Sequence, residues 1–259
     1  KNHFDKSDFV IIKGDLNLAR GDFVIYLTSD IHGEYQMFMD LLKLINFSDN
    51  DKLYILGDVA DRGPEPIKIY QYIMEKPNIF LLRGNHEEMM LDALRLKDNQ
   101  FVSTHLSRLW MNNGGFVTVD QFLNLPIEEQ KRIYDFIKNT PLYVVINNNI
   151  LIHAGLPSGG YEMEFESKDD IEKFLRSVNK EYLIWDRDMH EFDDEKIKGY
   201  HIWCGHTPTL YLQDNNGIYH RTGFSVIDGG ACFDCGALNC ICLDNGKELS
   251  IQHKQKTEA

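Results

Sequence analysis

Apolar residues in the first third of the chain alternate between two periods. FVIYLTS (23–29) is a β-branched and aromatic run, after which Phe38, Leu41, Leu42 and Ile45 recur at i, i+3, i+4 and i+7 on one helical face. The alternation continues with strand LYILGD (53–58), helix IKIYQYIMEK (67–76), strand NIFLLRG (78–84) and helix HEEMMLDALR (86–95). After residue 142 the pattern changes to short strand candidates with few helices between them: YVVIN (143–147), ILIHAG (150–155), YHIWCG (200–205), FSVID (224–228) and ALNCICL (237–243). Such a half suits a mixed or antiparallel sheet packed on the first. The predicted fold class is therefore α/β, two mixed β-sheets packed as a sandwich with helices on the outer faces. Residues 97–141 read as helical but irregular, with Trp110 and the turn signal NNGG (112–115) in the middle, a cap-like segment over a site. No repeat, linker or composition shift divides the chain, so 1–259 is predicted as one domain.

Composition narrows the function classes. At 259 residues with 43% hydrophobic content the chain can bury a sizeable core, which excludes disorder. Forty Asp and Glu against 27 Lys and Arg give a net charge of −13, which disfavours nucleic acid or an anionic membrane as partner and leaves room only for a local cationic pocket. No stretch approaches the roughly 18 apolar residues of a spanning helix. The opening KNHFDKSD, which begins with Lys1 rather than Met, lacks the basic and apolar regions of a secretory leader, and a cytoplasmic location is expected. The five cysteines all lie beyond residue 203, and their odd number argues against a disulfide framework. Cys232 and Cys235 have a zinc-like C-x2-C spacing. Cys240 and Cys242, however, alternate within a strand-like run, so buried structural cysteines are the preferred reading.

The chemistry lies just after the predicted strands. Asp30 and His32 follow the first in SDIHGE, Asp58 the second in LGDVADRG, and Asn85 and His86 the third in RGNHEE. Carboxyl ends of neighbouring parallel strands lie side by side, so these residues converge on one edge. Carboxylates, imidazoles and an amide without thiolate suit Mn, Fe, Zn or Mg. His153 in LIHAGLP and His206 in CGHTP stand in matching positions of the second half. If they face the same edge there are ligands for two ions, with Asp58 central enough to bridge them, and such a pair could acidify a shared water. Each stretch alone has a plainer reading. Asp-x-His is common, Gly57 and Gly63 could punctuate a turn, and Met89 and Met90 suit helix packing. Gly-Asn-His-Glu could be a helix start with Asn85 as N-cap and Glu87 and Glu88 in its first turn, its free N–H groups favouring an anionic substrate. The plain readings do not explain five such stretches in one chain.

DIHG (30–33), GDVADRG (57–63), GNHE (84–87), HAG (153–155) and GHT (205–207), in this order, resemble the PPP-type metallophosphoesterases of the calcineurin-like superfamily. HAGLP, WDRD (185–188) and IDGGA (227–231) look more like its bacterial and phage branch, which includes symmetrical diadenosine tetraphosphate hydrolases. Two departures are Ser29, where glycine is frequent, and the Cys-rich stretch after Gly230. The resemblance implies a four-layer fold and two divalent metal ions, manganese first, with iron or zinc as alternatives. It implies one ion held by Asp30, His32 and Asp58 and a second by Asp58, Asn85, His153 and His206. By the same resemblance His86 is the general acid, Asp61 orients it, and Arg62 and Arg187 bind phosphate oxygens, with Asn85 also touching substrate. Arg187 could instead be a surface arginine beside Asp186 and Asp188. The implied activity is hydrolysis of a phosphorylated protein or small phosphoester, foremost as a serine/threonine protein phosphatase of bacterial type. The alternatives are a symmetrical bis(5'-nucleosyl)-tetraphosphate hydrolase, for which Trp110 could stack a base although a core position is simpler, and an inactive binding module.

Overall fold

A computed structural model describes residues 23–104, 107–157, 163–191 and 197–253; the polar opening segment read above lies outside the described residues. In chain order the first half runs β1 (Ile25–Thr28), α1 (Tyr35–Leu44), β2 (Lys52–Ile55), α2 (Pro66–Met74), β3 (Ile79–Leu81) and α3 (Asn85–Ala93). A hairpin, β4 (Leu94–Lys97) and β5 (Gln100–Ser103), leads into α4 (Ser107–Asn112), α5 (Phe116–Leu123) and α6 (Ile127–Lys138). The second half comprises β6 (Tyr143–Ile146), β7 (Asn149–Ile152), α7 (Lys168–Ser177), α8 (Lys180–Trp185), β8 (His201–Cys204), β9 (Tyr219–Arg221), β10 (Phe224–Val226), β11 (Ala237–Cys242) and β12 (Glu248–Gln252).

Apart from the two-stranded β4–β5 hairpin, the described strands form two five-stranded sheets, ordered β12-β11-β1-β2-β3 and β6-β7-β8-β10-β9. In the first, β1, β2 and β3 are parallel and β11 runs against β1. In the second, β7, β8 and β10 are parallel and the two edge strands are antiparallel. Three apolar layers follow from the period-2 alternation of each strand. Between the sheets lie Ile25, Leu27, Tyr54 and Ile241 from one and Val144, Ile146, Leu151 and Trp203 from the other. Outside the first sheet, Phe38, Leu41, Ile69, Tyr70, Met89 and Met90 of α1, α2 and α3 pack on Leu53, Ile55, Leu238 and Cys240. Outside the second, Ile171, Leu175, Leu183 and Ile184 of α7 and α8 pack on Ile150, Ile152, Ile202 and Phe224. The result is the expected sandwich with helices on both outer faces.

Three local expectations differ. The helical run read to residue 95 stops at Ala93, because Leu94 and Leu96 alternate as a strand around a turn at Asp98 and Asn99, both with positive φ. The segment read as helical from 97 therefore opens with half of that hairpin. α7 and α8 lie in the half where the sequence pattern predicts few helices. Each has a side-chain N-cap, Ser167 accepting from the Asp170 amide at 3.2 Å and Asn179 from that of Glu181 at 3.1 Å. Cys240 and Cys242 are buried on one face of β11, as the alternation requires, and Met89 and Met90 are core residues. No described helix is long and apolar enough to cross a membrane.

Candidate active site

The parallel strands of both sheets end at one place. The loops after β1, β2 and β3 carry Asp30 and His32, Asp58, and Asn85 and His86, while β7 and β8 lead into His153 and His206. All of these side chains are buried. Reaching inward from such short loops strains the backbone: Asp30, His32, Asp58, Asp61, Arg62 and His206 all have positive φ. Non-glycine residues in that region cost about 1–3 kcal/mol each and persist where surrounding contacts over-determine them. Close packing demands glycine at position 84, where a Cβ would lie 2.1 Å from an Asp58 carboxylate oxygen.

Asp58 is the centre. Its Oδ2 lies 3.7 Å from His32 Nε2 and 3.8 Å from His86 Nε2, and its Oδ1 lies 3.4 Å from His153 Nε2. Asp30 Oδ1 is 4.0 Å from His32 Nε2, and Asn85 Oδ1 is 3.0 Å from His153 Nε2. Two imidazoles have their tautomer set from behind: His32 Nδ1 donates to the Ala60 carbonyl at 2.8 Å and His153 Nδ1 to that of Leu56 at 2.7 Å. Each Nε2 is thus turned toward the cluster. His206 Nε2 is buried without a hydrogen-bond partner among the described residues, which is costly unless a ligand takes the lone pair. Two groups, His32, Asp58 and His86, and Asp58, His153 and His206, offer ligand atoms all within 4.8 Å of one another. These donors fit a pair of borderline divalent cations sharing Asp58. Neither group contains a cysteine.

The electrostatics agree with that fit. Burial, countered by the charge of His153 but reinforced by that of Asp58, pushes Asp30 up to about 6. Against its own burial, the charge and hydrogen bond of Asp58 and the charge of Asp30 hold His153 up to about 10. Burial and the repulsion of His153 push His206 down to about 2, so it stays a neutral donor. Asp228, after β10, is a further buried carboxyl, raised by burial and by Asp30, and it accepts the Gly230 amide at 2.8 Å. Buried negative charge of this density calls for positive charge among it.

A second layer surrounds the cluster. His86 Nδ1 lies 2.6 Å from Asp61 Oδ2. Although burial opposes a charge there, Asp58 and Asp61 raise the pKa of His86. The Arg62 guanidinium fork reaches His32 Nε2 at 2.7 Å and His86 Nε2 at 3.1 Å. Arg187 is exposed and donates to Thr207 Oγ1 at 3.4 Å, next to His206, so the WDRD stretch comes to the edge of the site. The first ligand group contains His86 where the sequence reading has Asp30. Asp30 Oδ2 accepts from the His206 amide at 3.0 Å and from Ser29 Oγ, which leaves Oδ1 toward His32.

Several residues with a part in the site escaped sequence reading. Glu87, read as an acidic first-turn residue, is fully buried. It accepts the amides of Asp58 at 2.8 Å, Val59 at 2.9 Å and Gly84 at 3.0 Å and the Tyr70 hydroxyl at 2.7 Å. The N-cap of α3 is Gly84 rather than Asn85. The His86 amide in the first turn is spent on Asp58 Oδ1 at 3.0 Å, so the anion this helix end binds is the protein's own. Trp110 is fully buried and cannot stack a base; its indole N–H donates to both oxygens of Asp61, at 2.8 and 3.0 Å. Only the NNGG turn signalled that the segment around Trp110 returns toward Arg62.

Residues 23–242 match the family model described as calcineurin-like phosphoesterase. A protein named serine/threonine-protein phosphatase 1 from Salmonella typhimurium is 27% identical over 218 residues, covering 81% of this chain and 87% of its own length. A symmetrical bis(5'-nucleosyl)-tetraphosphatase from Wigglesworthia glossinidia brevipalpis is 30% identical over 189 residues, 64% of this chain and 62% of its own. Among solved structures, a protein serine/threonine phosphatase from Saccharomyces cerevisiae superposes with a TM-score of 0.55 over 92% of this chain and 81% of its own, at 18% identity, a likeness of fold.

Proposed function

Because the chain belongs to the calcineurin-like phosphoesterase family and is a phosphoester hydrolase with a divalent metal centre, we propose that it is a phosphomonoesterase acting as a serine/threonine protein phosphatase of bacterial type. One ion would be held by Asp30, His32 and Asp58, the other by Asp58, Asn85, His153 and His206, and manganese is the proposed metal. When bound, the ions supply Lewis acidity and an activated water. The residues of the chain do the rest. Arg62 and Arg187 bind phosphate oxygens with planar forks and spread the charge that develops in transfer, and Asn85 faces the same group. His86 gives the proton that a departing serine or threonine alkoxide, a strong base, requires. The observation that carries this reading is the His86–Asp61 contact at 2.6 Å beside Arg62: a carboxylate-held imidazole suits a proton donor better than a fourth metal-binding histidine.

The named phosphatase relative, aligned over most of both chains, supports the phosphoprotein substrate, and five free cysteines suit a cytoplasmic location. The tetraphosphatase relative supports a second reading, symmetrical dinucleoside tetraphosphate hydrolysis, for which Trp110 is not available as a base platform. No ligand, acid or arginine position is lost, which weighs against an inactive binding module. The test is turnover of a phosphoserine peptide, diadenosine tetraphosphate and 4-nitrophenyl phosphate by manganese-loaded protein and its His86→Asn variant. The reading expects the peptide to be preferred over the dinucleotide and His86→Asn to slow the peptide far more than the aryl ester. Preference for the dinucleotide would move the assignment to the second reading, and equal slowing of peptide and aryl ester would remove His86 as the acid.

A further inference from the structure

Asp61 is fully buried, and among the described residues its hydrogen bonds to side chains outside its own loop come from two places. One is His86. The other is the segment after the β4–β5 hairpin, where Trp110 of α4 spans both oxygens and Thr118 of α5 both accepts the Asp61 amide at 2.9 Å and donates to Oδ1 at 2.5 Å. A carboxylate has two equivalent oxygens and can turn about its terminal torsion. Thr118 on Oδ1 and the indole across both leave one orientation, with Oδ2 aimed at His86 Nδ1. The packing around the indole leaves little slack, since a Cβ at Gly115 would fall 2.5 Å from it. The same turn reaches the phosphate-binding side, where the Gly114 carbonyl accepts the Arg62 amide at 3.3 Å.

We propose that Trp110, assisted by Thr118, is a positioning residue for proton transfer. Its indole N–H holds the Asp61 carboxylate in the plane that keeps the His86 ring aimed at the leaving oxygen, so the helical segment sets the efficiency of the acid without touching substrate. The proposal rests on the reading of His86 as general acid. Partners of this outer kind change activity roughly 10- to 100-fold when removed.

The experiment compares Trp110→Phe, which keeps the ring and loses the donor, with Thr118→Val, His86→Asn and the Trp110→Phe/His86→Asn double variant. Each is manganese-loaded and assayed for kcat and KM on a phosphoserine peptide and on 4-nitrophenyl phosphate, with metal content and melting temperature measured alongside. The expected result is a drop in kcat of about tenfold on the peptide for Trp110→Phe, with KM and metal content held and less than about threefold lost on the aryl ester. In the His86→Asn background the same change should remove nothing further. If Trp110→Phe fails to fold, Thr118→Val carries the same expectation. The proposal is overturned if the losses are equal on both esters or persist in full without His86. His86→Asn slowing both esters equally would instead overturn the acid reading, and the positioning role with it.

Discussion

The loop that carries Asp58 is held by Glu87, and removing that carboxylate gives a measurable loss. In Glu87→Ala the amides of Asp58, Val59 and Gly84 and the hydroxyl of Tyr70, its four closest donors at 2.7–3.0 Å with the Ala60 amide further off at 3.3 Å, lose their acceptor in a region with no solvent access to position 87. A buried donor left unsatisfied costs about 1–3 kcal/mol, so four of them at the low end amount to about 4 kcal/mol. Part is returned, because burial raises the pKa of Glu87 and its ionised form is itself costly to keep inside. A net loss of about 3 kcal/mol is expected, corresponding to a fall in melting temperature of roughly 6–12 °C for a chain of this size. Urea and thermal denaturation of metal-loaded and chelated protein measure it. Glu87→Gln, which keeps one acceptor oxygen, should lose less. A Glu87→Ala loss below about 1 kcal/mol in both states would refute the assignment of Glu87 as the clamp of this loop.

Other outcomes follow from single contacts. Arg62→Lys keeps the charge but loses the fork, and should lower kcat/KM on a phosphopeptide by about 2 kcal/mol, roughly 30-fold, with metal content unchanged in elemental analysis. Arg187→Ala should mainly raise KM; steady-state kinetics with unchanged KM would make it the surface arginine of the plainer reading. Ser29→Ala removes the hydroxyl that donates to Asp30, and should lower stability by about 1 kcal/mol in urea and weaken metal uptake in a chelator competition.

What could be read before the structure, and what could not, divides along physical lines. Asp30, Asp58 and Asn85 were legible because parallel strands bring their carboxyl ends together whatever the intervening helices do, and His153 and His206 because the second sheet repeats that arrangement. Glu87 was not, since an acid in the first turn of a helix is ordinary on sequence grounds and only the bend of the Asp58 loop turns it inward. The partnership of Trp110 with Asp61 spans 49 residues and has no periodic signature. The β4–β5 hairpin was hidden by the helical spacing that runs into it. Ser29, visible as a departure from the family pattern, gains an account in its hydrogen bond to Asp30.

Metal stoichiometry tests the central claim most directly. Protein stripped with a chelator, titrated with Mn2+ by calorimetry and checked by elemental analysis, should take up two ions per chain, and His206→Ala about one. Uptake of less than one ion by the wild type, or identical uptake by His206→Ala, would contradict it.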